Sequence, residues 1–252
     1  MKFAGVNTIR ISTDGLVIKE TSYGESDRLI TILTRELGVI NAYVKGVKSI
    51  KSKRSPATSL LSYSNFNIEK KGDTYRIVEA STNKMFFNAG SDILTLSIAQ
   101  YFCELCNTLR PVEHESEEFL RLILNSLHFL VEKNRSPELI KAITELRIAV
   151  ISGYAPNLIA CNGCGKFEDS VMYFKLDDGT LYCSDCRKEN CVSITLTILQ
   201  AMRHIVYSKL ESLYSFDIPE TAAKDLSKLC ERYVTYQTEH KFTTLEFLRG
   251  II

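Results

Sequence analysis

Leu60-Leu61-Ser62-Tyr63-Ser64-Asn65-Phe66-Asn67-Ile68-Glu69-Lys70-Lys71-Gly72-Asp73-Thr74-Tyr75-Arg76-Ile77-Val78-Glu79-Ala80 contains two runs rich in Ile, Val, Tyr and Thr, parted at Gly72-Asp73. In the first run Phe66, Ile68 and Lys70 share one parity, with Tyr63 out of step by one. Alternation of this kind, broken by turn residues, predicts strands over 60–70 and 74–80. Toward the amino terminus the same composition recurs over 15–20, 27–34 and 39–45, with turns expected at Asp14-Gly15 and Leu37-Gly38. Five short strands in so little chain predict a small closed barrel, because closure removes exposed strand edges. An SH3-like barrel has the same size and remains open as an alternative. Between the third and fourth strands lies Gly46-Val47-Lys48-Ser49-Ile50-Lys51-Ser52-Lys53-Arg54-Ser55-Pro56, a basic loop closed by proline.

Toward the carboxyl terminus the apolar period changes to that of a helix. Ile93, Leu96, Ile98, Tyr101, Leu105 and Leu109 mark one face over 92–109, and Phe119, Leu120, Ile123, Leu127 and Leu130 mark another over 116–132. A third helix is predicted over 137–152, with Pro137 in its first turn and Gly153 after its end. Further helices are expected over about 193–209, 219–237 and 245–250.

A different chemistry interrupts these helices. Cys161-Asn162-Gly163-Cys164-Gly165 is followed, after 18 residues from Cys164, by Cys183-Ser184-Asp185-Cys186. Two residues between cysteines let a tight turn aim both sulfurs at one ion, and glycines let the backbone N–H groups approach the thiolates. Two such turns make a tetrahedral site of four sulfurs, which suits zinc and leaves no position for a catalytic water. Residues 171–174 and 180–182 read as strands joined at Asp177-Asp178-Gly179, so the segment is expected to form a zinc ribbon. Redox dithiols and an iron–sulfur cluster are the rival readings. Cys103 and Cys106 repeat the spacing inside a helical pattern and are expected in the core, as is Cys230; Cys191 is left outside the ligand set.

The formal net charge of +1 hides an asymmetry: residues 1–80 carry 13 basic and 8 acidic side chains, the rest 18 and 22. A basic amino-terminal part suggests a polyanionic partner at that end. Lys45, Lys48, Lys51, Lys53 and Arg54 fall within ten residues; flexible cations of this sort meet phosphates without reading sequence. Tyr43, Tyr63, Phe66 and Tyr75 are candidate stacking residues for a single strand, with barrel core as the plainer alternative. The four histidines are scattered, Tyr23-Gly24-Glu25-Ser26-Asp27 lacks the glycines and Lys-Ser/Thr of a phosphate loop, and no residue set builds a reaction. The opening residues lack the pattern of a signal peptide and no apolar run reaches the length of a membrane span, so a cytoplasmic protein is expected.

Several stretches together resemble the RecO family of recombination mediators. They are Gly15-Leu16-Val17-Ile18-Lys19, Tyr23-Gly24-Glu25-Ser26-Asp27-Arg28-Leu29, Thr31-Ile32-Leu33-Thr34-Arg35-Glu36-Leu37-Gly38 and Lys45-Gly46-Val47-Lys48. The later Glu145-Leu146-Arg147, Gly153-Tyr154-Ala155-Pro156, Cys161 and Cys164-Gly165 match in the same order. The resemblance implies an α+β multidomain protein: an OB-fold barrel over 1–82, an α-helical domain over 83–157 and 192–252, and a zinc ribbon inserted at 158–191. It implies binding of single- and double-stranded DNA, annealing of complementary strands and loading of RecA, in a bacterial cytoplasm and at the nucleoid when acting. The implied partners are RecR and the carboxyl-terminal tail of single-strand-binding protein. No catalytic residue is implied, and one zinc ion on Cys161, Cys164, Cys183 and Cys186 would be structural. Some family members lack the four cysteines. DNA contacts carried over to this sequence fall on Arg28, Arg35, Lys45, Lys48, Lys51, Lys53 and Arg54. At Lys48 the family often has arginine, so bidentate phosphate geometry is lost there. Arg121, Lys133, Arg135 and Lys141 are candidates for a basic rim on the helical body. The alternative reading is an adaptor that holds protein partners on its barrel and ribbon, with little DNA affinity of its own. A zinc-dependent nucleic-acid enzyme would need an open metal position.

Overall fold

A computed structural model describes residues 8–47, 54–87 and 92–251. The chain divides into two compact units, Met1–Val131 with Thr244–Ile252, and Glu132–Thr243.

The first unit is built on β1 (Thr8–Tyr23), β2 (Asp27–Thr34), β3 (Val39–Val44), β4 (Ser62–Lys71) and β5 (Thr74–Met85), with a short helix α1 (Arg54–Ala57) after β3. The strands close in the order β1-β2-β3-β5-β4, antiparallel throughout except for the parallel β3–β5 pair. This is the barrel order of an OB-fold. Alternation selects the core: Ile30, Ile32, Ile40, Ala42, Val44, Phe66, Ile68 and Ile77 all point inward and are buried. On β4 the inward parity is Ser62, Ser64, Phe66 and Ile68, so two small hydroxyls occupy core positions and Tyr63 turns outward.

Asp14-Gly15 is not a turn. β1 runs through it unbroken, pairing with β4 over residues 8–16 and with β2 over 15–23. Gly15 lies where one long strand exchanges partners to close the barrel. A Cβ at Gly15 would stand 2.7 Å from both Ile32 Cγ2 and Leu33 O. Glycine is required for close approach, not for reversing the chain.

Helices α2 (Ile93–Leu109) and α3 (Ser116–Glu132) follow. The Asp92 carboxylate caps α2 by accepting from Thr95 N–H at 2.9 Å, and the helix ends in left-handed Arg110 before Pro111. The start of α3 is tied to the barrel, where Ser116 Oγ donates to Thr34 O at 2.5 Å. The division drawn from sequence placed these two helices with the later ones; by compactness they group with the barrel. Helix α7 (Thr243–Arg249) also returns to this unit, where Glu104 accepts from Thr244 N–H at 2.9 Å.

The second unit holds α4 (Pro137–Ile151), a four-stranded sheet, α5 (Leu196–Tyr207) and α6 (Glu220–Thr238). Ser136 caps α4 through its hydroxyl, and Pro137 lies in the first turn, where the sequence predicts it. The sheet is ordered β6 (Asn157–Cys161), β8 (Thr180–Tyr182), β7 (Met172–Lys175), β9 (Cys191–Ile194). β7 and β8 are the expected ribbon hairpin. β9 occupies the start of the segment expected as helix; its β-branched Val192 and Ile194 suit a strand, and Thr195 then caps α5 by accepting from Ile198 N–H.

Helices α4 and α6 carry a buried ionic cluster. Lys141 Nζ donates to Glu145 Oε1 at 2.8 Å and to Glu231 Oε2 at 2.7 Å. Lys141 and Glu145 are both buried, so Lys141 is an internal cation and not part of a surface rim. Arg135 likewise donates to Phe216 O at 2.5 Å. Among the described residues, no helix is long and apolar enough to cross a membrane.

Candidate metal centre and nucleic-acid interface

Cys161, at the end of β6, and Cys164 flank the first knuckle; Cys183, just after β8, and Cys186 flank the second. Their sulfurs all lie within 4.8 Å of one another, with Cys164 and Cys183 at 3.6 Å. Tetrahedral coordination with metal–sulfur bonds of about 2.3 Å has sulfur–sulfur edges of about 3.8 Å. The donor set therefore fits one metal ion, held by four protein ligands.

The backbone is shaped for thiolates. Gly163 N–H points at Cys161 Sγ at 3.4 Å and Cys183 N–H at 3.3 Å. Burial pushes the Cys161 thiol up, but the backbone amides of Cys183, Cys164 and Gly163 outweigh it and hold it down at about 6. A Cβ on Gly163 would stand 2.9 Å from both Cβ and Sγ of Cys186, so the knuckles close on each other only over a glycine. Asp169 joins them from outside, accepting from Ser184 N–H at 3.2 Å and Ser184 Oγ at 2.6 Å.

The ribbon is fastened to its own helices. Arg203 of α5 donates to Leu158 O, Ile159 O and Phe167 O at 2.7–2.9 Å and pairs with Glu168. From α6, Gln237 donates to Leu176 O at 2.8 Å and Tyr233 packs edge-on against Phe174. The other cysteines stand apart from this chemistry. Cys103, Cys106 and Cys230 are buried, with burial pushing Cys103 up to about 12, and Cys191 lies in β9 outside the cluster.

The cations singled out on the barrel separate into two groups. Arg28 faces the barrel mouth with its side chain only 11% exposed; it pairs with Glu20 at 3.0 Å and reaches Thr58 Oγ1 and Ser55 O beside α1. Arg35 is held bidentately by Asp14, both contacts at 2.7 Å, and also by Glu117 at 2.9 Å. Arg54 donates to Lys45 O at 2.9 Å and Val78 O at 3.3 Å. These three guanidiniums hold barrel segments together. Lys45 is exposed at the end of β3. Lys48, Lys51 and Lys53 lie outside the described residues.

Of the candidate stacking residues, Phe66 is core, Tyr63 is bonded to Asp14 and Arg35, and Tyr75 packs against the barrel core. Tyr43 is exposed. Sequence reading passed over Lys19, Tyr23 and Arg76, all exposed. Strand alternation was the available signal: Lys19 and Tyr23 share the outward parity of β1 beyond the bulge at Ile18, and Arg76 precedes inward Ile77.

The Asp14–Arg35–Tyr63 contact gives a pH-dependent prediction. The hydrogen bond from Arg35 holds the Asp14 carboxyl below its ordinary value. A depressed folded-state value stabilises the protein above the unfolded value of about 3.9; that contribution is lost as pH falls through the folded value. Asp14→Asn should cost about 1–3 kcal/mol at pH 7. The wild-type advantage should fade below pH 4 in urea titrations, and an advantage that persisted there would contradict the pairing.

Residues 9–86 match the family described as Recombination protein O N terminal, and residues 90–246 match Recombination protein O C terminal. The chain is similar to the DNA repair protein RecO of Acetivibrio thermocellus, 32% identical over 243 residues, covering 96% of this chain and 97% of the relative. It is also similar to the protein of that name from Caldicellulosiruptor bescii, 29% identical over 241 residues, covering 96% and 98%. The corresponding protein of Alkaliphilus metalliredigens is 26% identical over 244 residues, covering 96% and 99%.

Proposed function

The chain belongs to the Recombination protein O family, and on that premise we propose that it is a DNA-repair mediator that works by holding and annealing strands, with no catalytic step. It binds single- and double-stranded DNA, anneals complementary strands and helps load RecA on DNA coated by single-strand-binding protein. Its partners are RecR and the carboxyl-terminal tail of single-strand-binding protein, and it acts in the cytoplasm, at the nucleoid during repair. The observation that carries this reading is the OB-type barrel with Lys19, Lys45 and Arg76 exposed on the outer wall of its strands. Strands 2 and 3 supply the oligonucleotide face of such barrels.

The mechanism is electrostatic. Two single strands repel through their phosphates, and a cationic wall that holds either strand lowers the repulsion each presents to the other. Lys45, Lys48, Lys51 and Lys53 are assigned the phosphate contacts. Arg28, Arg35 and Arg54 belong to the same interface mainly as its framework, since their donors already serve the barrel. The metal on Cys161, Cys164, Cys183 and Cys186 is one zinc ion with a structural task, because four thiolates leave it no open position.

The test is annealing of complementary oligonucleotides, with and without single-strand-binding protein. Annealing should accelerate in both conditions and weaken steeply with salt. Replacing Lys45, Lys48, Lys51 and Lys53 together by Ala should flatten the salt slope of single-strand binding by about 0.7 per lost contact. Failure of the purified protein to bind DNA at physiological salt would instead favour an adaptor that acts through protein partners.

A further inference from the structure

On the outer wall of the barrel the pairing places Thr21, Leu29, Tyr43 and Arg76 in one row across β1, β2, β3 and β5. One row toward the β1–β2 turn lie Tyr23 and Asp27, with Lys45 just past the end of β3; one row the other way lie Lys19, Thr31 and Asn41. Tyr23 and Tyr43 meet edge to face, with ring centroids 5.3 Å apart. They are 55% and 36% exposed, the most exposed aromatic side chains among the described residues of the barrel. Neither is needed inside: Ile30, Ile32, Ile40, Ala42 and Val44 fill the inward positions of β2 and β3.

We infer that Tyr23 and Tyr43 form a stacking platform for an unpaired base, set among Lys19, Lys45 and Arg76 as phosphate contacts, and that this pair adds affinity for single strands that a duplex does not share. The inference rests on the DNA-binding reading above. The occupant follows from the chemistry of the wall. Lys19, Lys45 and Arg76 outnumber Asp27, whose carboxylate is turned to Gly46 N–H at 2.8 Å and Ser26 Oγ at 3.0 Å, and Glu69, which lies opposite Arg76 on β4 and is met by Arg10 at 3.5 Å. A polyanion with flat, exposed π-faces matches exposed rings beside cations, and single-stranded nucleic acid is such a polymer. Duplex DNA shares the phosphates but keeps its base faces covered, so the rings offer it little.

The experiment measures binding of a fluorescent oligo-dT and of a duplex of equal length to the full chain, in three forms: wild type, Tyr23→Leu with Tyr43→Leu, and Tyr23→Phe with Tyr43→Phe. Stacking on aromatic side chains is worth about 1–3 kcal/mol per base, so the Leu pair should weaken oligo-dT binding by about tenfold or more. Duplex affinity and the salt slope should stay within error of wild type, and the Phe pair should bind as wild type does. Unchanged duplex binding also certifies that the Leu pair is folded. Oligo-dT binding unaffected by the Leu pair, or equal losses on both DNAs, overturns the platform while leaving the DNA-binding function standing. A wild-type protein that binds neither DNA overturns the function itself.

Discussion

Replacing Cys161 and Cys164 by Ser should abolish stoichiometric zinc binding and lower the thermal midpoint of the second unit by on the order of 10 °C or more, with less than a threefold loss of DNA affinity. The size follows from linkage. Structural zinc sites release apparent binding energies of about 10–16 kcal/mol, comparable to the whole stability of an ordinary domain. A few kcal/mol lost from a unit of this size shifts its midpoint by about 4–8 °C each. The damage should spread because the ribbon is wired to α5 and α6 through Arg203, Gln237 and Tyr233. DNA affinity should be spared because the cationic wall is on the barrel. Gly163→Ala supplies an intermediate case, since it keeps all four ligands while its Cβ drives against Cys186. Calorimetry with a zinc assay and oligonucleotide binding measures both quantities. A larger loss in DNA affinity than in stability would return the ribbon to the binding surface.

The second large effect concerns Lys141. Lys141→Met should destabilise the second unit by about 3–5 kcal/mol, because it leaves the Glu145 carboxylate buried without its cation. Opposing effects meet at the ammonium: burial lowers its pKa, but Glu145 and Glu231 overcome this and raise it. Lys141 is therefore charged at neutral pH. Adding Glu145→Met to Lys141→Met should recover most of the loss, since the fully buried carboxylate is then gone, Glu231 keeps access to solvent with its side chain 17% exposed, and methionine fills volume without a polar atom. Urea denaturation of the two variants decides the matter. Equal destabilisation by both would mean that lost packing, not an unpaired charge, sets the cost.

Local patterns in the sequence carried much of the fold. The two C-x2-C spacings brought four sulfurs together as expected, and Pro137 and Gly153 bracketed α4 close to its observed ends. Residue composition and alternation located all five barrel strands, although of β1 only 15–20 was read and the strand runs Thr8–Tyr23. The misreadings share a cause: they concern residues whose meaning depends on a partner far along the chain. Gly15 reads as a turn beside Asp14 until β2 is seen pressing against its Cα. Lys141 reads as a surface charge until Glu231, 90 residues away, supplies its counter-ion. Arg35, expected at a phosphate, also carries Asp14 and Glu117 on its guanidinium, which its neighbours in sequence do not announce. Charge is visible in a sequence, but which charges are already spoken for is a property of the fold.

One feature of the architecture bears on how the molecule comes into being. Unit one is interrupted: Glu132–Thr243 is inserted between its body and Thr244–Ile252. Glu104 in α2 waits for Thr244, whose N–H and hydroxyl it receives at 2.9 and 2.5 Å. During synthesis the barrel and α2–α3 emerge first, yet their last helix arrives only after the ribbon and its helices have been made. Unit one is thus sealed by a helix made after the whole inserted unit, and the bond that seals it closes a loop of 140 residues.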